Sequence, residues 1–270
     1  MAPIRTTRGK LPPSPAALAG DNPLARVLVR YAPLVLLAAL WEAATRSSLI
    51  SAHVLPPLTG VCASWFRLVA NGELIANGLD SLYRVGLGLL LAIVVGSAAG
   101  LFMASSRVVN AFVGPVVRMF YPMPKSALIP VMVLWLGFGD ASKIVLIFLG
   151  CLLPVAISAF NGARGADMTL IWSARSFGAR RHQIIGEVIF PSALPEILAG
   201  IRIALATSFI LLVSSELIAA RKGLGYMIGM LGDGGVYDAM FATVLTVAML
   251  GFVADRLYLA LMGRLLRWRG

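Results

Sequence analysis

The amino-acid sequence predicts an all-α membrane protein with six transmembrane helices. Hydrophobic residues make up 59% of its 270 positions and charged residues only 13%, whereas a soluble domain contains about 25% charged residues. Long uncharged segments are a second indication, because a bilayer core about 30 Å thick is crossed by a helix of about 20 apolar residues. This composition excludes an ordinary soluble enzyme and a disordered chain.

Two segments, Val85 to Ser106 and Ile144 to Ala163, contain no charged residue and give the clearest spans. Four weaker spans, which contain charges or prolines, are predicted at Val27 to Thr45, Val113 to Gly137, Ile197 to Ala219 and Ala239 to Met262. Residues 1–26 lack the apolar region of a signal peptide and are expected to form a polar tail. The remaining residues, 27–270, are expected to form the transmembrane domain, with its core at about residues 78–264.

The charge distribution predicts that both termini are cytoplasmic. The chain has 23 Lys and Arg residues against 12 Asp and Glu residues, which gives a formal net charge of +11. With both termini inside, more than half of the Lys and Arg residues fall on the cytoplasmic side, as the positive-inside rule requires. Such an excess faces anionic lipid in a membrane protein, so we expect a lipid environment and no nucleic-acid partner.

Small residues recur at every fourth position of the second span and predict a tight helix contact. They are Gly88, Ala92, Gly96, Gly100 and Ala104. Helices in lipid associate through such small-residue faces, because burial from water no longer drives them together. We therefore expect Gly88, Gly96 and Gly100 to form a packing surface rather than a ligand groove.

The third span contains three prolines, Pro122, Pro124 and Pro130, around Lys125. Each proline removes a backbone donor and frees an upstream carbonyl, which hydrocarbon does not solvate. Broken helices of this kind line substrate routes in transporters, so we expect the segment to face the protein interior and to line the translocation pathway. A kink that only shapes packing is the alternative. Lys125 either attracts an anion there or extends to the inner interface.

Two ionisable residues, Arg202 and Glu216, lie inside the fifth predicted span. Ionisable side chains are costly in hydrocarbon, so each is a candidate pathway residue. Arg202 would offer a positive charge to an anionic solute. Glu216 lies near the outer end of the span, and it either belongs to the pathway or pairs with Arg221 or Lys143.

A polar segment between the fourth and fifth spans, residues 164–192, is too polar to cross the membrane. Asp167 or Thr169 is placed to cap a short helix there, and Gly178 is placed to end it. The apolar residues of this helix fall on one face, at Leu170, Ala174 and Phe177.

A second short helix is predicted from Arg180 to Val188, after which Pro191 and Pro195 begin the fifth span. Two exposed helices joined by a turn suit docking into a groove on a soluble partner. A helix that lies on the lipid surface is the alternative explanation.

This segment resembles the EAA loop of bacterial ABC importer permeases, whose coupling helices contact the ATP-binding subunit. The family pattern of Glu-Ala-Ala, Gly and Ile-x-Leu-Pro corresponds here, at the same spacing, to Trp172-Ser173-Ala174, Gly178 and Val188-Ile189-Phe190-Pro191. Trp172 replaces the acidic first residue. The resemblance implies the following coupling residues: Leu170, Trp172, Ser173, Ala174, Arg175, Phe177, Gly178, Arg180, Arg181 and Pro191.

From about Leu55 to its end, the chain is similar to permeases of the taurine, alkanesulfonate and nitrate type. The matching stretches are Leu55-Pro56-Pro57, Ser81-Leu82-Tyr83-Arg84, Pro122-Met123-Pro124, Trp135-Leu136-Gly137-Phe138-Gly139, Ser142-Lys143, Ala193-Leu194-Pro195, Glu216 and Gly223-Leu224-Gly225-Tyr226. The resemblance implies a type I ABC importer permease fold. It also implies that Gly223, Leu224, Gly225 and Tyr226 form a loop near the outer gate.

The same resemblance implies partners: a second permease copy in a homodimer, two ATP-binding subunits, and a periplasmic or lipid-anchored substrate-binding protein, all at a bacterial inner membrane. ATP and magnesium would be bound by the partner subunit, because this sequence contains no phosphate-binding P-loop motif. With no His-Glu-x-x-His pattern and only two histidines, we expect neither a metal site nor catalytic residues in this chain.

We therefore expect a non-catalytic permease for a small anionic solute such as taurine, an alkanesulfonate, nitrate or a related organic acid. A permease for a neutral vitamin or pyrimidine precursor is one alternative. A secondary carrier is another, although ion coupling needs intramembrane carboxylates and the deep spans offer little beyond Glu216. An integral membrane enzyme would need a nucleophile facing a base, and the sequence offers no such pair.

Overall fold

The structure of the chain, a computed structural model, describes residues 23–47, 51 and 54–267. The described residues are mainly helical, as predicted. Most of the predicted polar tail, residues 1–22, lies outside them, and its last four residues begin the first helix. The described residues fall into two units, one that ends at Ala63 and one that begins at Ser64.

Before Ser64 the chain forms helix α1, Pro23–Arg46, and enters helix α2, Leu58–Ala70. Side chains fasten the end of α1 to the start of α2. Trp41 Nε1 donates to the carbonyl of Pro56 at 2.9 Å. The Glu42 carboxylate accepts a hydrogen bond from the hydroxyl of Thr59 at 2.9 Å, which is a second link between the two helices.

From Ser64 onward the helices surround a core of apolar side chains. They are α3 (Glu73–Ser105), α4 (Arg107–Phe120), α5 (Ile129–Leu136), α6 (Asp140–Arg164), α7 (Met168–Ser176), α8 (Arg181–Gln183), α9 (Phe190–Ala219), α10 (Leu224–Asp233) and α11 (Tyr237–Leu265). A 3₁₀ turn, Lys125–Leu128, precedes α5. A π-helical turn, Ile184–Ile189, joins α8 to α9.

Within the described residues, four helical segments are long and apolar enough to cross a membrane: α3, α6, Arg181–Ala219 and α11. The pair α4 and α5, bent by 93° at the predicted break, would make a fifth crossing if it counts as one span. Helix α1 covers the first predicted span. The number of six crossings and the cytoplasmic termini stay predictions.

The second predicted span is longer than expected. Helix α3 begins at Glu73, well before the predicted start at Val85. Two charged residues, Asp80 and Arg84, therefore lie inside the helix, and Arg84 is only 2% exposed. A buried arginine is tolerated because carboxylates from other helices pair with it, as the site below shows.

The small-residue face of α3 lies against α6. A Cβ atom on Gly88 would lie 2.9 Å from the carbonyl oxygen of Ile144, and one on Gly96 would lie 3.0 Å from that of Leu152. At Gly100 an added Cβ would overlap the carbonyl of Ala156. The two helices therefore run side by side in the same direction, at a separation that only residues without side chains permit.

Helix α9 runs opposite to α3 and α6. The start of the α9 segment therefore lies beside the last residues of α3 and α6, and its end lies beside their first half. At one end, Arg181 Nη2 donates to the carbonyl of Ser105 at 2.6 Å. We call this the loop end, because the segment between α6 and α9 lies there. At the other end, Glu216 of α9 contacts Arg84 of α3, and we call this the Glu216 end.

The predicted second short helix, Arg180 to Val188, is not separate from the fifth span, so that prediction is wrong. Residues Arg181–Ala219 form one continuous helical segment of 39 residues. The π turn makes this continuity possible, since its wider winding accommodates the missing N–H and the bulky ring of Pro191. Phe190 N–H bonds to the carbonyl of Ile185, five residues back.

Gly100→Ala tests the α3–α6 contact. We expect it to lower the free energy of unfolding by about 1–3 kcal/mol, because the new methyl group meets backbone that cannot move aside. Gly86→Ala is the matched control, since a Cβ at Gly86 meets nothing within 4 Å, and it should leave stability unchanged or raise it by up to about 1 kcal/mol. Reversible unfolding in detergent measures both, and equal stabilities for the two variants would contradict the packing assignment.

Candidate functional site

Three charged side chains meet where α3, α6 and α9 converge at the Glu216 end. Arg84 Nη1 lies 2.5 Å from Glu216 Oε1, and Arg84 Nη2 lies 2.7 Å from Asp140 Oδ1. Glu216 is 0% exposed. An isolated buried charge is very costly, so the buried Arg84 and Glu216 need each other. Asp140 is partly exposed, and its pair with Arg84 adds the third helix.

The Glu216 carboxylate also accepts hydrogen bonds from neutral donors. The hydroxyl of Ser81 lies 2.9 and 2.8 Å from its two oxygens, and the N–H of Gly225 donates to it at 2.9 Å. The Ser81 hydroxyl in turn accepts from the N–H of Leu224 at 2.9 Å. Glu216 therefore binds the backbone after α9 both directly and through Ser81.

The loop that follows α9 is fastened at two further points. The side-chain oxygen of Asn77 accepts from the N–H of Gly223 at 2.7 Å. Arg84 Nη1 donates to the carbonyl of Lys222 at 2.9 Å. Side chains of α3 and α9 thus hold residues 222–225 in place, and we call this segment, which includes the first two residues of α10, the anchored loop. The prediction of a loop from Gly223 to Tyr226 is wrong beyond Gly223, because α10 begins at Leu224.

Two lysines flank the cluster in different surroundings. Lys222 is exposed, and its hydrogen bond to the Asp80 carboxylate at 2.8 Å raises the pKa of the Lys222 amine. Lys143 is buried and donates to the carbonyls of Phe138 and Gly139, at 2.7 and 3.1 Å. Among the described residues, no group of three or more His, Cys, Asp or Glu side chains is placed to hold a metal ion.

Both glycines of the anchored loop are required, because neighbouring atoms of α9 leave no room for a side chain at either position. Gly223 has φ of 113°, and an added Cβ would lie 2.5 Å from the Glu216 carboxylate. A Cβ on Gly225 would lie 2.7 Å from the carbonyl of Val213. Any side chain at either position would push the loop off the carboxylate that binds it.

The partner of Glu216 is Arg84, so neither predicted partner, Arg221 or Lys143, is correct. Sequence reasoning missed Arg84 because it placed the start of the second span at Val85, the next residue. Asp140 was missed as well, since it lies between two predicted spans. The signal was present in the sequence as one arginine and two carboxylates bordering three apolar segments.

Several stretches that carry the family resemblance converge on this cluster. They are Ser81-Leu82-Tyr83-Arg84, Trp135-Leu136-Gly137-Phe138-Gly139, Ser142-Lys143, Glu216 and Gly223-Leu224-Gly225-Tyr226. Residues distant in sequence therefore form one three-dimensional site. The contacts of this site fix backbone by means of buried charge.

Arg202, predicted to offer a positive charge to the solute, is instead paired. Its guanidinium binds the Asp255 carboxylate through two bonds of 2.8 and 3.1 Å. The pair joins α9 to α11, and Asp255 neutralises the arginine. The sequence placed both residues inside spans without indicating that they face each other.

The ammonium group of Lys125 occupies the predicted helix break. It donates to the backbone carbonyls of Phe120, Tyr121 and Met123, at 2.7, 2.7 and 2.8 Å. Lysine thus satisfies the carbonyls that the end of α4 leaves free. An anion would have to compete with these bonds for the ammonium protons.

The broken segment faces the interior of this single chain only in part, since Ile129 and Met132 are buried, and its place in the translocation pathway stays a prediction. Three of its prolines, Pro122, Pro124 and Pro130, are exposed. A cavity of about 360 Å³ lies between α4, α5 and α6, and its lining includes Lys125 and Trp135.

At the loop end, α7 presents two different faces. Asp167 Oδ1 caps the helix by accepting from the N–H of Thr169 at 2.8 Å, and Gly178 follows it with φ of 82°. Ile171 is buried against Ala166 and Ile184. Exposed apolar side chains lie elsewhere on this segment: Leu170 and Trp172 on the two flanks of Ile171, and Phe177, which is 88% exposed, just after the helix ends.

The other predicted coupling residues lie around this helix. Ser173, Arg175, Arg180 and Arg181 are exposed, and Ala174 is partly buried. Gln183 Oε1 accepts from the N–H of Arg180 at 2.8 Å, which caps the continuous helix behind α7. Pro191 lies in the first turn of α9, just after the π turn. The segment is thus an ordered helix, turn and helix.

Glu216→Ala tests the buried cluster. We expect a loss of about 3–5 kcal/mol in the free energy of unfolding, because Arg84 keeps its charge but loses a buried partner. Arg221→Ala is the matched control for the discarded pairing, and a change within about 0.5 kcal/mol is expected for this exposed residue. Thermal unfolding of both purified variants measures these changes in stability. A large destabilisation by Arg221→Ala with none by Glu216→Ala would refute the pairing of Glu216 with Arg84.

Comparison with known proteins identifies relatives over nearly the whole chain. Residues 88–267 match the family described as binding-protein-dependent transport system inner membrane component. The chain is 35% identical over 254 residues to the taurine transport system permease protein TauC of Escherichia coli. The matched region covers 92% of each protein. It is 36% identical to the putative aliphatic sulfonates transport permease protein SsuC of Bacillus subtilis, over 88% of this chain and 86% of the relative.

Solved structures show a similar fold. An inward-facing structure of the MetNI methionine ABC transporter matches with a TM-score of 0.61 at 20% identity, over 72% of this chain and 96% of that chain. A crystal structure of an amino acid ABC transporter matches with a TM-score of 0.56 at 15% identity, over 74% of this chain and 96% of that chain. The family match and the sequence relatives confirm the resemblance, and the chain belongs to the family of binding-protein-dependent transport system inner membrane components.

Proposed function

We propose that this chain is the transmembrane subunit of an ATP-driven ABC importer that carries a small sulfonate-type anion. The observation that carries the proposal is a set of exposed apolar side chains on a capped and ordered segment, Leu170 and Trp172 of α7 and Phe177 just after it. Exposed apolar side chains on a helix that joins two apolar segments suit a groove on a soluble subunit. The ATP-binding subunit of the same transporter is that partner.

In this proposal, movement of the ATP-binding subunits is passed directly to the helices of this chain. Closure of the ATP-binding subunits moves α7, and the buried contact between Ile171 and Ile184 passes the movement to the adjoining helix. Because Arg181–Ala219 is one helix, displacement at the loop end reaches Glu216 and the anchored loop. In this proposal the Glu216 end faces the periplasm and the loop end faces the cytoplasm. The movement opens or closes the translocation pathway at the Glu216 end.

A second copy of the chain completes the pathway in this proposal. Helices α4 and α5 expose large apolar side chains, including Phe112, Met119, Leu134 and Trp135. A homodimer that brings these helices together would enclose the broken segment and the Lys125 ammonium. Backbone freed at a helix break is tolerated within a membrane where protein or a water-filled cavity surrounds it.

The proposed substrate class comes from the relatives, whose names specify taurine and aliphatic sulfonates. Two arginines inside the membrane-crossing helices are not free to bind an anion. Arg202 is paired with Asp255, and Arg84 with Glu216. We therefore assign substrate selection mainly to the separate binding protein. The Glu216–Arg84 pairing also argues against a proton-coupled carrier, since the carboxylate of Glu216 already forms an ion pair with the arginine.

Reconstitution tests the proposed function. The chain is placed in liposomes with its ATP-binding subunit and binding protein, and uptake of radiolabelled taurine or an alkanesulfonate is followed with ATP in the lumen. We expect uptake only when all three components and ATP are present. Uptake without ATP would establish a secondary carrier instead, and uptake of a neutral pyrimidine in place of the sulfonate would overturn the substrate class.

Phe177→Ala tests the docking face. The concentration of ATP-binding subunit that half-saturates stimulated ATP hydrolysis should rise about tenfold or more, because a central aromatic contact at an interface contributes about 1–2 kcal/mol or more. Phe252→Ala is the matched control, since Phe252 is an exposed phenylalanine on α11, 59% exposed, away from the loop end. Equal saturation curves for both variants would show that α7 does not dock the subunit.

A further inference from the structure

A pocket of about 780 Å³ opens at the loop end, where the ends of α3 and α6 meet α7 and α8. Four arginines line it: Arg107, Arg164, Arg175 and Arg181. The rest of its lining is neutral and includes the buried side chains of Ile171 and Ile184, so the pocket combines a strong positive charge with an apolar floor.

Two of the four arginines have no partner among the residues that the structure describes. Arg181 donates to the carbonyl of Ser105, and Arg164 lies over the ring of Phe160 at 5.5 Å. Within the described ranges, the guanidinium groups of Arg107 and Arg175 form no hydrogen bond or ion pair. Positive charge therefore accumulates in the pocket without a carboxylate to balance it.

Helix stability does not account for this arrangement at Arg107. The residue occupies the first turn of α4, directly after the N-cap Ser106. The helix dipole disfavours a positive charge at that end and favours an anion. An anionic ligand in the pocket would remove both the repulsion among the arginines and the conflict with the dipole.

The position of the pocket indicates which anion is available. Helices α3 and α6 are both long and apolar enough to cross a membrane, and both end at the pocket, at Ser105 and Arg164. Where spanning helices end, phospholipid headgroups begin. A volume of about 780 Å³ accommodates a whole headgroup, and the isoleucines suit its glycerol and upper acyl carbons.

We propose that this pocket binds the phosphate group of an anionic phospholipid headgroup, held mainly by Arg107 and Arg175. Basic pockets between membrane helices bind such headgroups elsewhere. The bound lipid holds the inner face of α7 against the ends of α3 and α6. Leu170 and Phe177 do not line the pocket, so the lipid and a soluble partner contact different faces of α7.

The test uses the full chain alone, in nanodiscs of phosphatidylcholine containing one-tenth phosphatidylglycerol, with bound lipid counted by native mass spectrometry. The wild-type chain should retain phosphatidylglycerol in preference to phosphatidylcholine. The double variant Arg107→Gln with Arg175→Gln should bind it roughly 25-fold more weakly, at about fivefold for each arginine near the membrane surface. Both residues are exposed and without partners, so the variant keeps the packing of the fold.

Arg264→Gln is the matched control, because Arg264 lies in the last turn of α11 and does not line the pocket. It should bind phosphatidylglycerol like the wild type. Equal binding by the wild type and the double variant would overturn the proposal. So would displacement of the lipid by millimolar inorganic phosphate, since a free ion would then be the ligand. No ATP-binding subunit is present, so failure of the proposed transport function would leave this result unaffected.

Discussion

The buried pairing of Arg84 with Glu216 is the interaction on which the rest of this structure depends. Neither group is tolerated alone in an apolar interior, so the three helices that supply the cluster must remain together. The carboxylate also binds backbone after α9, directly at Gly225 and through Ser81 at Leu224. One side chain therefore fixes both the helix arrangement and the loop that the family resemblance associates with the outer gate.

A single continuous helical segment connects this cluster to the opposite end of the molecule. Residues Arg181–Ala219 begin against the buried side of α7, where Ile184 packs on Ile171, and include Glu216 near their far end. The π turn before Pro191 preserves this connection where two separate helices would have introduced a flexible joint. A permease that is moved by another subunit needs such a stiff element, and here the same helix carries the buried carboxylate.

Local pattern was enough to predict several parts of the fold and the site. The Gly100 face of α3 and the Gly178 turn after α7 each follow from sequence spacing. The side-chain pairings were not predictable, because they depend on which helix ends come together in space. Arg84 lies just before the predicted start of the second span, and the partner of Arg202 on α11 lies 53 positions away. The π turn was missed because proline usually ends a helix.

Hydrogen exchange at the anchored loop tests the central claim most directly. In the full-length protein, the amides of Leu224 and Gly225 should be strongly protected, because Ser81 and Glu216 accept from them. In Glu216→Ala that protection should fall by at least about tenfold, as expected for loss of a hydrogen bond to a charged group, while the amides in the middle of α6 stay as slow as before. Unchanged exchange at Leu224 and Gly225 in the variant would contradict the account.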